Sequence, residues 1–331
     1  MTNAYSKNDS RRRKYDKAVN KILNFDELYF PSYSKKLKES YDKKFLFATG
    51  TYPPQIKCFD LKNMGIKFTR YLNNEVRDFK LLNSNWEKFV ILREDRTLEF
   101  HTKQGFFYNL KIPENGFDLS YSRLYGKIFI PSLNGNVFSV DLTEGKFSVS
   151  IKNNLKIEKT CSAINESETI IGLGDSNGTV NFYDLRTTKN PFKSFEKMTN
   201  SDKNSSSVTT IRFLKERSTK VAIGHNSGEI FLYDLRSKNP ILSKDMGYNL
   251  PIKTIKNFIN NDFIISSNSR EVSFWNIKNG KGKISIKSKY GINDFCKLKN
   301  KDFLFLAVEN PRIMVKSLKK TNSLAINRKT F

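Results

Sequence analysis

A repeat constrains this chain more than any other feature. Seven times an apolar run is followed by a second run that ends in a large apolar residue and a polar one. The seven endings are Phe59-Asp60, Phe100-His101, Val140-Asp141, Tyr183-Asp184, Tyr233-Asp234, Trp275-Asn276 and Val315-Lys316. Successive endings are 41, 40, 43, 50, 42 and 40 residues apart. The clearest copies are Gly178-Thr-Val-Asn-Phe-Tyr-Asp-Leu-Arg186 and Gly228-Glu-Ile-Phe-Leu-Tyr-Asp-Leu-Arg236, each preceded by an apolar run ending in Gly, at Gly174 and Gly224. Strand, tight glycine turn and strand make a β-hairpin, with glycine supplying the positive φ of the turn. Weaker copies of the first strand stand at Phe45–Gly50, Phe89–Leu92, Lys127–Ile130, Phe263–Ser266 and Phe303–Ala307. Their shortness and their flanking turn residues mark them as buried strands and not helices.

A period of about 40–45 residues is that of a four-stranded propeller blade of the WD type. The fold expected is therefore all-β, a seven-bladed WD40-type β-propeller with short basic N- and C-terminal tails. The one long gap holds the polar stretch Lys197–Ser207, which reads as a loop insertion. Open sheet edges are a liability, and the residues after Lys316 are too polar and basic to supply a closing strand. Residues around Ile22 to Phe30 are better placed to do so. The organisation expected is a basic arm over 1–21, a propeller closed by an N-terminal strand over 22–316, and a basic tail over 317–331.

Composition bounds the function. The chain has 331 residues with 58 Lys plus Arg against 33 Asp plus Glu, a balance of +25. Such a field draws nucleic acid, anionic membrane or acidic proteins. Most of the excess is Lys, so biased genome usage is an alternative source of the charge. Three scattered cysteines, Cys58, Cys161 and Cys296, do not form a disulfide framework and suit a reducing compartment. No apolar run is long enough to span a bilayer. The start, polar and then basic, is unlike a secretory signal. A soluble cytosolic, nuclear or nucleolar protein is expected.

Few residues offer chemistry. His101 and His225 are the only histidines; they lie in different repeats, and zinc needs three or four ligands at set spacing. The cysteines have no neighbour in sequence to lower a thiol pKa and read as small buried apolar residues. Asp184 and Asp234 read as turn-tying residues of the repeat. Gly172, Gly174 and Gly178 lack the helix and the Lys-Ser/Thr of a phosphate loop. No catalytic, metal or cofactor site is expected.

The basic segments remain. Arg11, Arg12, Arg13 and Lys14 form an arm that could follow a phosphate backbone, serve as a nuclear-import signal, or be a solvated tail. Lys278, Lys281, Lys283, Lys287 and Lys289 lie in one acid-free stretch between the sixth and seventh hairpins, and Lys319, Lys320, Arg328 and Lys329 mark the C-terminal tail. Lysine neutralises phosphates as a point charge. Readout of RNA bases would need exposed aromatic rings as well, and sequence alone does not separate those from core rings.

Certain strings are not explained by a repeat. Ala48-Thr-Gly-Thr-Tyr52 with Pro54 and Cys58-Phe-Asp60 resembles the first blade of the nucleolar protein 10 / essential nuclear protein 2 family. Asp95-Arg-Thr-Leu-Glu-Phe-His101, Gly105-Phe-Phe-Tyr108, Ile112-Pro113 and Asp118-Leu-Ser-Tyr121 follow in the family's order. So do Tyr233-Asp-Leu-Arg-Ser237, Tyr248-Asn-Leu-Pro-Ile-Lys253, Ser269-Arg270 with Trp275-Asn276, Asn293-Asp294 with Cys296, and Glu309-Asn-Pro311. The similarity covers about residues 10–316. It implies a non-catalytic scaffold in small ribosomal subunit biogenesis, a component of the nucleolar small-subunit processome. The partners implied are pre-ribosomal RNA and other small-subunit assembly factors, with no membrane, cofactor or small-molecule substrate, and the chain acting as a monomer within a large ribonucleoprotein. Family members continue into a long charged C-terminal region with a Pro- and Trp-containing segment. That segment is not found before Phe331, so a shortened version of the family is expected and contacts of that region are not carried over. Two other readings stay open: a WD-repeat adaptor in another complex without RNA contact, and a propeller enzyme, for which no acid–base pair or nucleophile is visible.

Overall fold

The computed structural model describes residues 22–23, 28–152, 156–187, 190–196, 206–214, 219–258, 263–298 and 303–318. Among them lie seven four-stranded antiparallel sheets and no helix. Sheets are numbered here in the order of the repeats. Six sheets have the order of the chain: Ser34–Glu39, Phe45–Gly50, Gln55–Asp60 and Ile66–Tyr71 make the first, and the next five repeat the plan. The exception in connectivity is the seventh. Ile292–Lys297, Phe303–Val308 and Met314–Ser317 are completed by Ile22–Leu23, which pairs antiparallel with the last of them, Ile22 opposite Lys316 and Leu23 opposite Val315.

The repeat endings coincide with the ends of the third strands. Those strands stop at Asp60, His101, Asp141, Asp184, Asp234 and Asn276, as the periodicity requires. The seventh differs by one residue. Ser317 pairs with Phe303 just as Asp60 pairs with Phe45, so the ending is Ser317 and not Lys316. Lys316 instead pairs with Leu304, as Phe59 pairs with Leu46. A slip of one residue exchanges the faces of a strand, and Val315-Lys316 imitates the apolar–polar order one step too early. The insertion at 197–207 lies outside the described residues except for Ser206 and Ser207.

The apolar runs become the second strands, and these are the most deeply buried: every residue of Phe89–Arg93 is buried, as are all but the first of Phe45–Gly50 and Phe303–Val308. The first strands are more polar. Val208–Phe213 and Ser34–Glu39 mix buried with half-exposed positions. They link sheet to sheet through side chains. Thr160 Oγ1 donates to the carbonyl of Val208, Thr209 Oγ1 to that of Ile252 at 2.6 Å, and the Ser162 N–H donates to Asp118 at 2.9 Å. A buried backbone group left without such a partner would cost about 1–3 kcal/mol.

Two compact units are built this way. One comprises residues 22–71 and 286–318, with the first and seventh sheets; the other comprises 72–285. In the former, Leu28 and Phe30 are almost fully buried in a cluster with Phe59, Phe305 and Val315. The Phe30 N–H donates to Pro311 at 2.8 Å and the Ile313 N–H to Leu28 at 3.0 Å. Lys57 reinforces the segment: its Nζ donates to the Tyr29 carbonyl at 2.8 Å and lies 5.0 Å from the centre of the Phe30 ring. In the larger unit, Phe182, Phe195, Phe213 and Tyr233 pack edge-on or stacked across the fourth and fifth sheets. Gly228 sits in the hairpin turn of the fifth sheet at φ +89°, and a Cβ there would meet the Leu250 carbonyl oxygen at 3.0 Å. A turn of positive φ pressed against a neighbouring backbone needs glycine.

Candidate nucleic-acid and partner interface

Several carboxylates hold the turns and sheets in place. Asp60, Asp141, Asp184 and Asp234 each accept the backbone N–H two residues ahead, at 2.8, 2.9, 2.9 and 3.0 Å, and Asn276 does the same for Lys278 at 2.7 Å. The repeated Asp therefore ties the turn after the third strand. The hydrogen bonds from Arg186 and Thr143 hold the Asp184 and Asp141 carboxyls down at about 2. Other acids are enclosed. Arg93 binds Glu99 and Asp95 together, and Glu99 Oε2 lies 3.2 Å from His101 Nε2, whose ring stacks on Phe89 with centroids 5.1 Å apart. Lys159 and Asp175 form a buried ion pair, and Asp175 also accepts from Thr179 Oγ1 at 2.9 Å and Asn181 Nδ2 at 3.2 Å. Burial pushes the Asp175 carboxyl up, against the pull of Lys159. These carboxylates serve turns, sheet-to-sheet bonds and ion pairs, while 58 Lys plus Arg against 33 Asp plus Glu leave the chain a balance of +25.

The basic residues singled out from the sequence fall into separate groups. Lys278 and Lys281 are exposed in the turn between the third and fourth strands of the sixth sheet. Lys283 lies on the fourth strand, Gly282–Lys287. Lys287 is exposed at the end of that strand, and Lys289 is exposed in the connection after it. The acid-free stretch is thus not one cluster: its two pairs stand at opposite ends of a strand. Arg11, Arg12, Arg13, Lys14, Lys319, Lys320, Arg328 and Lys329 lie outside the described residues.

Rings that sequence could not sort are separated by the structure. Phe106, Phe107 and Tyr108, consecutive on the fourth strand of the second sheet, are 58%, 73% and 55% exposed. No periodicity reveals this, because strand and core both favour aromatic residues. Other polar candidates have structural partners. His225 Nδ1 lies 3.2 Å from the Ser206 carbonyl, with its ring edge-on to Phe231. All three cysteines are free and buried, and burial pushes the Cys58 thiol up to about 12, far from the thiolate chemistry of a reactive cysteine. Gly172 and Gly174 sit in a strand where a Cβ would collide with Phe182, Cys161 or Val208. Among the described residues no three His, Cys, Asp or Glu side chains are grouped to hold a metal ion, and no helix is long and apolar enough to cross a membrane.

Seven four-stranded sheets, five of them with Asx-tied turns, and a strand from the N-terminal region completing the last define a seven-bladed β-propeller of the WD-repeat type. The Cps50 (Swd1) β-propeller domain of Myceliophteria thermophila shares this fold with a TM-score of 0.74, 91% of this chain and 99% of that one being covered at 13% identity. Residues 1–316 match the family model of the nucleolar protein 10-like N-terminal domain, and the chain belongs to that family. Nucleolar protein 10 of Homo sapiens is 33% identical over 309 residues, 92% of this chain and 44% of its own length. The ribosome biogenesis protein enp2 homolog of Schizosaccharomyces pombe is 31% identical over 90% of this chain and 49% of its own length. Ribosome biogenesis protein ENP2 of Saccharomyces cerevisiae is 31% identical over 89% of this chain and 41% of its own. The chain spans less than half the length of these relatives.

Proposed function

We propose that this chain is a non-catalytic scaffold of ribosome biogenesis that acts in the nucleolus as a component of the small-subunit processome (90S pre-ribosome) and supports maturation of 18S-type rRNA. The observation that carries this reading is the family match along residues 1–316, whose relatives include proteins named for ribosome biogenesis. The charge distribution supports it. A balance of +25 suits a phosphate backbone, where each neutralised phosphate releases counterions and binding weakens steeply with salt. In this organisation a basic arm over 1–21 and a basic tail after Leu318 flank the propeller and contact pre-ribosomal RNA. The exposed pairs Lys278 with Lys281 and Lys287 with Lys289 add contacts, and loops meet other assembly factors.

The test is affinity purification of the tagged protein from its own cells at moderate salt, with sequencing of bound RNA and mass spectrometry of bound proteins. Recovery of small-subunit precursor RNA with processome proteins is the expected result. A defined protein complex without that RNA would replace this reading with a WD-repeat adaptor.

A further inference from the structure

We propose that the fourth strand of the second blade, Phe106–Lys111, is a docking edge for an extended apolar peptide of a partner protein whose two ends carry acidic residues. The inference stands apart from the ribosomal reading above.

The strand pairs on one side only, with Thr97–His101, and forms the outer edge of its sheet. Five of its six residues are exposed, and only Leu110 turns partly inward to join the apolar cluster beneath. An exposed apolar edge is a template for another strand, and proteins ordinarily blunt it with charge or brevity. Four of the other outer strands are blunted, and a fifth, Phe147–Ile151, is uncharged but exposes no aromatic ring. Ile66–Tyr71 carries Lys67 and Arg70, which fold over the Phe45 and Phe68 rings at 4.0 and 4.7 Å. Lys193–Phe195 is three residues long, and Leu242–Asp245 is four residues long with Lys244 and Asp245 at its end. Gly282–Lys287 has lysine at both 283 and 287. By contrast, Phe106–Lys111 places three aromatic residues in a row outside the core and no charge before its last residue.

The local geometry suits a peptide. Phe106 lies opposite His101 and Tyr108 opposite Phe100, so Phe107 is the extra residue of a β-bulge. A bulge re-aims a side chain, here into solvent beside two other exposed rings. Beyond it, Tyr108–Lys111 keeps regular pairing with Thr97–Phe100 and offers its outer backbone for strand addition, the arrangement in which main-chain bonds give affinity and apolar contacts give selectivity. Charge selects the occupant. Lys103 precedes the rings, 66% exposed and 3.8 Å from Glu87, and Lys111 follows them. Two cations that bracket a strand match acids at the two ends of a peptide. A single-stranded nucleic acid brings a phosphate with every base and calls for cations alongside its path.

The test uses the whole chain and fluorescence anisotropy with three labelled probes: the peptide Glu-Asp-Val-Thr-Val-Thr-Val-Asp-Glu, the same peptide with proline at its central position, and decauridylate. The wild type is expected to bind the first peptide and to bind the proline version far more weakly. Phe106→Ser with Phe107→Ser should weaken peptide binding by roughly tenfold or more, while leaving the circular dichroism spectrum and decauridylate binding unchanged. Phe107→Lys, which restores the usual edge defence, should act in the same direction and serves if the double variant does not fold. Failure of the wild type to bind the strand peptide, equal binding of the proline peptide, or indifference to the ring substitutions would overturn the proposal. Loss of decauridylate binding in the ring variants would overturn it too, assigning the rings to RNA stacking.

Discussion

Asp294 holds the first strand of the first sheet in place from the first strand of the seventh: its Oδ2 accepts the Leu37 N–H at 2.9 Å while its Oδ1 accepts the N–H of Phe295 at 2.7 Å. All of this is buried. Asp294→Ala strands two buried donors and should destabilise the chain by about 2–3 kcal/mol. Asp294→Asn keeps one acceptor oxygen and should recover roughly half of that. Urea unfolding followed by fluorescence decides the matter, and equal midpoints for wild type and Asp294→Ala would refute it.

The Lys159–Asp175 pair makes a different claim. Both side chains are enclosed, so removing one leaves the other as an uncompensated buried charge. Lys159→Met should cost about 3–5 kcal/mol. Adding Asp175→Asn to that variant removes the stranded charge and should restore at least about 2 kcal/mol. If the double variant is no more stable than Lys159→Met, the pair is not the source of the loss.

Asp184 makes folding sensitive to acid. Its carboxyl is held at about 2 in the folded chain, below its usual 3.8, first through the side-chain hydrogen bond from Arg186. A depressed folded-state value means that the stabilisation is present above about pH 4 and is lost as pH falls toward 2. The melting temperature of Asp184→Asn, compared with wild type at pH 5 and pH 3, should therefore fall less between the two. A parallel fall in both proteins would show that the bond carries no such linkage.

The N-terminal segment yields a deletion test. Removing residues 1–21 should leave the melting temperature within about 2 °C of the full chain. Removing residues 1–30 also deletes Leu28, Phe30 and the strand paired with Met314–Ser317. It should lower the melting temperature by at least roughly 6 °C, from the loss of two large core side chains. An unchanged value would mean that the seventh sheet is stable without its fourth strand.

Most of the fold was legible because the third-strand endings and the second-strand runs are strong local signals. Burial on both faces leaves little choice of residue at Phe45–Gly50 or Phe303–Val308. The first strands were not legible. Ser34–Glu39 and Val208–Phe213 mix buried with half-exposed positions, and Thr209 bonds through its side chain to Ile252, so lysine and threonine stand where an apolar pattern would have marked a strand. The seventh repeat was misplaced by one residue because Lys316 is a buried lysine at a position that is aromatic in the first, second, fourth, fifth and sixth blades. The candidate surface was half legible. Lysine runs are visible in any sequence, but exposure of Phe106, Phe107 and Tyr108 depends on which side of one outer strand is left uncovered.

The pairing of Ile22–Leu23 with Met314–Ser317 has a consequence for synthesis. Translation delivers Ile22–Leu23 long before its partner Met314–Ser317, at about 5–20 residues per second. For roughly 15 to 60 seconds, therefore, the nascent protein carries an unmatched strand at its leading end and an unfinished sheet still to come. Such a chain completes its seventh sheet only once Met314–Ser317 has been made. Until then its unpaired edges are the natural substrate of ribosome-associated chaperones.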